Sequence, residues 1–276
     1  MTDPANKTVL ITGASGGFGR QMVQQFHAAG AKLVLTDISD EVLSAVVEDA
    51  GNGLVAAIAA DLSTENGCET LAGTCSERGV LPDILVNNAG IALAGRSDHV
   101  PRDRWEALIR LNLLAPMRLC DRFLTGMIER GSGHIVNISS LAGWVGARGM
   151  SSYCASKFGL RGFGESLSAD LQGTGVYVTN VYPSFSQTPI LDSPQYGYEQ
   201  KLSVPPHLVS DPAHVVARVI SGVRSRKLHV FPDKYARATY YLLRFAPWLL
   251  PIIDRRLFNQ AMAAGRANTD SAEAGG

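Results

Sequence analysis

Tyr153 and Lys157 stand four residues apart in the stretch Tyr153-Cys-Ala-Ser-Lys157. In a helix that spacing puts both side chains on one face, one turn apart. A free tyrosine has a pKa of about 10, so it is protonated at neutral pH. An ammonium held nearby favours the phenolate and lowers that value. The pair therefore suits a tyrosine that exchanges a proton with a reacting group while a lysine tunes it. The same two residues also fit a half-buried tyrosine beside a solvated lysine, and the rest of the chain has to decide between the two.

A second chemical signature lies near the N-terminus, in Thr12-Gly-Ala-Ser-Gly-Gly-Phe-Gly19. The apolar run Thr8 to Thr12 reads as a buried parallel strand. Gly13, Gly17 and Gly19 make a turn that also holds Ser15 and Phe18, and Phe18 to Ala29 follows with helical periodicity up to Gly30. Strand, glycine turn and helix together let a backbone approach a pyrophosphate, with free N–H groups and a positive dipole end at the helix start. The next strand, Lys32 to Thr36, ends at Asp37, 18 residues beyond Gly19. An acid there accepts hydrogen bonds from an adenosine ribose and repels a 2′-phosphate. Ile38 follows it, and no Arg or Lys lies among residues 14 to 18, so the expected cofactor is NAD rather than NADP. Asp37 also fits as a cap for a helix starting near Ser39, and both roles can hold together.

These groups need a scaffold. Leu54 to Ala60 reads as a third strand, with Asp61-Leu62 at its end and Ser63 as the expected N-cap of a helix to about Gly79. Asp61 fits either an adenine amino group or simple capping. Asp83 to Val86 is a fourth strand running into Asn87-Asn88-Ala89-Gly90. Asn88 is expected to be structural, with Asn87, Ala89 and Gly90 lining an adenine-ribose floor. Residues 102 to 130 read as two helices or one bent pair, with Asn112 awkwardly inside. Gly133 to Ile138 is a fifth strand ending in Ser139-Ser140, and the Tyr153 helix runs to about Gly173. Val176 to Tyr182 is a sixth strand, stopped by Pro183. Residues 184 to 210 form a long irregular stretch of the kind that serves as a lid or binding loop. Asp211 caps a helix through Arg226, and Leu228 to Phe231 is the last strand. Alternating strands and helices predict an α/β fold with a doubly wound parallel sheet of the Rossmann type, in a single domain with an apolar C-terminal extension.

The 276 residues carry 25 Lys or Arg and 25 Asp or Glu, and no basic block stands out, so nucleic acid is not an expected partner. Cys68, Cys75, Cys120 and Cys154 form no CxxC or Cys/His cluster, so they are expected reduced, with no metal site. No apolar h-region precedes the first strand, and no run of 18 apolar residues occurs. The expected location is cytoplasmic, with peripheral membrane contact left open.

In this combination and order, Thr12–Gly19, Asn87–Gly90, Ser140 and Tyr153–Lys157 resemble the short-chain dehydrogenase/reductase family, over about residues 5 to 232. The resemblance implies that Tyr153 is the base in alcohol oxidation and the acid in carbonyl reduction. It implies that Lys157 lowers the tyrosine pKa and binds the nicotinamide ribose. Ser140 would hold the substrate oxygen, and Asn112 would kink its helix and support a water relay to Lys157. Ser139 is expected to be structural. After the sixth strand the family usually has Pro-Gly, whereas this chain has Pro183-Ser184-Phe185-Ser186-Gln187-Thr188. Thr188 sits where the family bonds the carboxamide, and the Ser186 backbone is placed to do so as well. The departure bears on the path of the loop, and Phe185 adds apolar surface to the site.

The expected organisation is a dehydrogenase domain over residues 1–235 including a substrate loop at 184–210, an apolar extension over 236–263 and a disordered tail over 264–276. Residues 240–253 are apolar, broken by Pro247 and Pro251, and flanked by Arg237, Arg244, Arg255 and Arg256. They fit a membrane-interface segment, a cover for the cleft, a subunit contact or plain packing on their own domain. The sequence thus predicts an NAD-dependent oxidation of a hydrophobic secondary alcohol, such as a steroid, retinoid, acyl or aryl type, in a homo-oligomer. The alternatives are an NADPH-dependent carbonyl or 3-oxoacyl reductase, and a dinucleotide-binding sensor or scaffold.

Overall fold

The computed structural model describes residues 2–198, 202–253, 255–256 and 258–260. In chain order the elements are β1 (Thr8–Thr12), α1 (Gly17–Ala28), β2 (Lys32–Asp37), α2 (Asp40–Ala50), β3 (Leu54–Ala59) and α3 (Glu65–Glu77). Next come β4 (Ile84–Asn87), β5 (Ala94–Gly95), α4 (Arg102–Ile109), α5 (Ala115–Glu129), β6 (Gly133–Ile138) and α6 (Ser151–Asp170). The last are β7 (Val176–Val181), β8 (Gln195–Tyr196), α7 (Pro212–Arg224), β9 (His229–Val230) and α8 (Lys234–Phe245).

Seven strands form one sheet in the order β3-β2-β1-β4-β6-β7-β9, and every pairing in it is parallel. Alternate residues of each strand face opposite layers. Val9, Ile11, Leu33 and Leu35 bury against Phe26 and Val219, from α1 and α7. Leu10, Val34, Leu85, Ile135 and Val178 bury on the other face with Leu71, Phe123 and Leu167, from α3, α5 and α6. With both faces covered, the strands read as continuous apolar runs. Strand order grows outward from β1 in one direction and from β4 in the other. The crevice at that reversal, beyond the carboxyl ends of the strands, is where an open parallel sheet offers a ligand site.

The register also aligns three asparagines. Asn87 opposes Asn137, and Asn137 opposes Asn180. Asn87 Nδ2 donates to Asn137 Oδ1 at 2.9 Å, and Asn137 Nδ2 donates to Asn180 Oδ1 at 3.0 Å. The two bonds partner the central amide, Asn137, on both sides, while Asn87 Oδ1 and Asn180 Nδ2 at the ends of the ladder are buried without partners. The Asn87 side chain is buried within the sheet, so it is the backbone of Asn87 that remains for the floor expected at residues 87–90.

Two further expectations change. The cap of α3 is Thr64, whose Oγ1 accepts from Gly67 N at 2.9 Å, and not Ser63, whose own amide donates to Asp61 Oδ1. The described part of the stretch 184–210 is also less irregular than expected. Its base is closed by Gln187 N and Ser210 N, which donate to Ser210 O and Phe185 O, and β8 within it pairs with β5. The apolar extension docks on the core through α8. Ala236 is fully buried, and the Tyr240 ring lies 4.5 Å from Phe231 and 5.2 Å from Trp144.

Candidate active site

The turn between β1 and α1 is built on glycine. Gly13 has φ of +63°, and a Cβ there would lie 2.8 Å from Ala89 Cα. A Cβ on Gly19 would lie 2.1 Å from Gly13 O, and one on Gly17 would lie 2.5 Å from the Thr188 side chain. The backbone is therefore packed too closely for any side chain at these positions. Asn88 Nδ2 fixes the turn by donating to Thr12 O at 2.8 Å and Gly13 O at 3.0 Å, and Thr12 Oγ1 accepts from Ala89 N. Helices α2, α3, α7 and α8 have side-chain caps from Ser39, Thr64, Asp211 and Asp233, whereas α1, like α4 and α6, has none. Its first-turn amides are thus left for an anion.

Asp37 closes the end of β2. Its Oδ2 accepts from both the amide and the hydroxyl of Ser15, and its Oδ1 accepts from Ile38 N at 2.8 Å. The acid is held against the glycine turn, and it does not cap α2, a role taken by Ser39. Asp61 closes the turn after β3 through Ser63 N, and neighbouring Leu62 is buried.

The reacting groups meet at the ends of β6 and β7. Tyr153 and Lys157 start α6, Ser140 follows β6, and all three line a cleft of about 750 Å³. Lys157 Nζ lies 5.6 Å from the Tyr153 ring centroid and donates to Ile138 O at 2.9 Å. Ser140 Oγ accepts from Ala142 N at 3.1 Å, which leaves its proton to donate. Ser139 Oγ donates to Lys157 O at 3.0 Å, a structural use. Burial dominates the electrostatics. It pushes the Tyr153 phenol up to about 12, an effect the Ser140 hydroxyl partly offsets. It lowers the Lys157 ammonium to about 8. Desolvation leads at both groups and favours the neutral form of each, and the lysine expected to lower the tyrosine pKa is not among the influences that shift it.

Asn112 lies in a single π turn, Arg110–Leu114, between α4 and α5. Such turns mark places where a side chain is re-aimed. Its Oδ1 accepts from Ile91 N and its Nδ2 donates to Ile91 O, each at 2.9 Å, and Nδ2 also approaches Ser156 Oγ at 3.3 Å. A Cβ on Gly90 would lie 3.1 Å from Asn112 Oδ1 and 3.7 Å from Lys157 Nζ, so both groups flank the same point. Ser156, absent from the sequence reading, joins this set by donating to Tyr153 O at 2.7 Å.

Phe18, Gly90, Pro183, Phe185, Ser186 and Thr188 also line the cleft. Ser186 Oγ is buried without a partner, an unsatisfied group that a carboxamide would complete. The glycine cradle, the uncapped α1 and this orphaned hydroxyl together fit a nicotinamide dinucleotide. Above them the walls are apolar, including Trp144, Val145, Ile190, Leu243 and Leu250.

Ser184, standing where the family usually has glycine, has an evident use. Its amide donates to Asp233 Oδ2 at 3.0 Å and its hydroxyl to Asp233 Oδ1 at 2.7 Å. Asp233 is buried and also accepts from Ala236 N to cap α8. One carboxylate thus ties the loop after β7 to the helix that covers the cleft. Asp233→Ala strands three donors and is expected to cost about 3 kcal/mol, whereas Ser184→Gly removes one bond and costs about 1 kcal/mol. Denaturant unfolding of the two variants beside the parent checks this ratio.

Sequence and structure comparisons place the chain among known proteins. The profile of the family described as short chain dehydrogenase matches residues 7–196. Epidermal retinol dehydrogenase 2 of Mus musculus is 32% identical over 254 residues, covering 90% of this chain and 79% of that protein. A short-chain dehydrogenase from Sphingobium yanoikuyae, solved in complex with NADPH, superposes with a TM-score of 0.75 at 30% identity, covering 88% and 94% of the two chains. A short chain dehydrogenase/reductase from Burkholderia phymatum, solved in complex with NAD, gives 0.79 at 24% identity, covering 91% and 97%, which is a likeness of fold.

Proposed function

The chain belongs to the short-chain dehydrogenase family and is an NAD(P)-dependent oxidoreductase, and from that premise we propose that it interconverts a hydrophobic secondary alcohol and its ketone using NAD. The observation that carries this reading is the placement of Ser140, Tyr153 and Lys157 on one wall of a cleft whose remaining walls are mainly apolar. Burial of apolar surface is worth about 25 cal/mol per Å², so such walls select substrate by its greasy body and leave orientation to the few polar groups.

Gly13, Gly17, Phe18 and Gly19 would hold the pyrophosphate, and Asp37 with Ser15 would hold the adenosine ribose. Asp61 and Leu62 border the adenine, with Ala89, Gly90 and the Asn87 backbone as the floor. Pro183, Ser186 and Thr188, which line the cleft, would hold the carboxamide. A bound nicotinamide would supply the hydride acceptor for alcohol oxidation and the hydride donor for ketone reduction. Ser140 donates its hydroxyl proton to the substrate oxygen and offsets charge that develops there. Tyr153 takes the alcohol proton in oxidation and delivers one to the carbonyl oxygen in reduction. Lys157 spends one of its three N–H donors on Ile138 O, leaving two for the ribose and for a water relay steadied by Asn112.

The cofactor assignment rests on Asp37. An anion a few ångströms from a 2′-phosphate costs about 1–3 kcal/mol near a protein surface. Asp37→Ala is therefore expected to narrow the preference for NAD⁺ over NADP⁺ by about ten- to a hundred-fold. The ratio of kcat/KM values is the measure, because loss of the Ser15 contacts affects both cofactors alike. An unchanged ratio would favour the competing reading of a reductase using NADPH, the cofactor held by the Sphingobium relative.

A further inference from the structure

The outer surface of the C-terminal segment presents an unusual group of side chains. Tyr241, Phe245, Trp248 and Ile252 are 58%, 71%, 69% and 53% exposed, with Leu249 and Ile253 beside them. None of the first four lines the cleft, and the Tyr241 and Phe245 rings stack on each other, centroids 6.5 Å apart. Exposed aromatic and aliphatic groups massed in this way mark an interaction surface. The charge around them is one-sided. Residues 234–260 carry Lys234, Arg237, Arg244, Arg255 and Arg256 against a single acid, Asp254, in a chain whose overall charge is zero. All five basic residues are exposed.

We propose that this face docks on an anionic phospholipid bilayer, with Phe245 and Trp248 inserted among the headgroups and the basic residues meeting lipid phosphates and carboxylates. Trp and Tyr at headgroup depth with flanking Arg is the composition that an interface takes up. A second copy of the chain is a poorer partner, because two-fold pairing would bring one cationic face against another. Among the described residues no helix is long and apolar enough to cross a membrane. The same segment supplies Leu243, Pro247, Leu250, Pro251 and Ile253 to the cleft wall. A bilayer on the outer face therefore adjoins the cleft, and an apolar alcohol passes from lipid to Tyr153 without crossing bulk water. Only this last step rests on the apolar-substrate reading.

The test is co-sedimentation of the full chain with vesicles, which needs no turnover and so fails or succeeds independently of that reading. Each basic residue near an anionic surface strengthens binding by about five-fold. The parent is expected to bind phosphatidylcholine vesicles containing about a quarter phosphatidylserine at least about ten-fold more tightly than pure phosphatidylcholine. Phe245→Ser with Trp248→Ser is expected to reduce binding to both, and Arg244→Glu with Arg255→Glu to remove the preference for the anionic lipid. Each of these side chains is exposed, and NADH binding by the variants reports that they fold. A parent that stays in the supernatant with anionic vesicles would overturn the proposal, as would aromatic variants that bind like the parent. A concentration-dependent dimer that the Phe245→Ser/Trp248→Ser variant dissolves, without vesicle binding by the parent, would assign the face to a second copy instead.

Discussion

Tyr153→Phe is expected to lower turnover of any alcohol or ketone by about a thousand-fold or more while leaving dinucleotide binding intact. A positioned acid–base group contributes about 10²–10⁴ in rate. The substitution removes only the hydroxyl from a buried ring, so packing of α6 is kept. Initial rates beside an NADH fluorescence titration separate the two effects. The pH dependence has a definite sign. With the phenol pushed up to about 12, Tyr153 is protonated throughout the neutral range. Its proton is then available for carbonyl reduction at neutral pH, whereas alcohol oxidation needs the phenolate and speeds up as pH rises. A variant that oxidises alcohols at the parent rate, or a parent whose oxidation slows toward alkaline pH, would remove Tyr153 from the chemistry.

Lys157→Met is expected to reduce kcat by about a hundred-fold or more, yet leave the fold about as stable at pH 7. Two opposing terms set this outcome. Burial lowers the Lys157 ammonium from 10.5 to about 8, so holding it charged at neutral pH costs about 3 kcal/mol. Its bond to Ile138 O returns part of that, because a buried carbonyl left bare costs about 1–3 kcal/mol. Methionine has similar reach and carries no charge. The linkage follows from the lowered pKa. Between pH 8 and about 10.4 the unfolded lysine binds a proton that the folded one has released, so the parent gains stability as pH rises through that window. The Met variant lacks this gain. Denaturant unfolding of both proteins at pH 7 and pH 10 gives the difference directly. A variant several kcal/mol weaker at pH 7, or a pH dependence identical to the parent's, would show that the lysine is not held under this strain.

How far the sequence could be read depends on how local each feature is. The glycine turn, Ser140, Tyr153 and Lys157 are set by short-range spacing on a strand end or a helix start, and those were legible. Asn112 was recognisable as misplaced in a helix, and the structure resolves that by a π turn and the two bonds to Ile91. The asparagine ladder was not legible, because it depends on parallel register across strands about fifty residues apart. Asp37 was placed by its distance from Gly19, but the grip of Ser15 on it comes from the fold of the turn. Thr64 and Ser63 are equally good caps by type, and the extended backbone at Thr64 decides between them. The coupling of Ser184 to Asp233 joins residues 49 apart and could not be inferred from the altered Pro-Ser motif alone. The pKa of Tyr153 depends on the fold in a similar way. Spacing reveals the lysine nearby, whereas burial, the larger effect, belongs to the packed structure.

The central claim, NAD-linked oxidation of a hydrophobic secondary alcohol in this cleft, is met most directly by kcat/KM for NAD⁺ reduction along a series of secondary alkanols of rising length. If the apolar walls bind the body of the substrate, each added methylene contributes about 0.8 kcal/mol, or roughly four-fold, until the cleft is filled. A series that stays flat, or that shows no NAD⁺ reduction at any length, would contradict it.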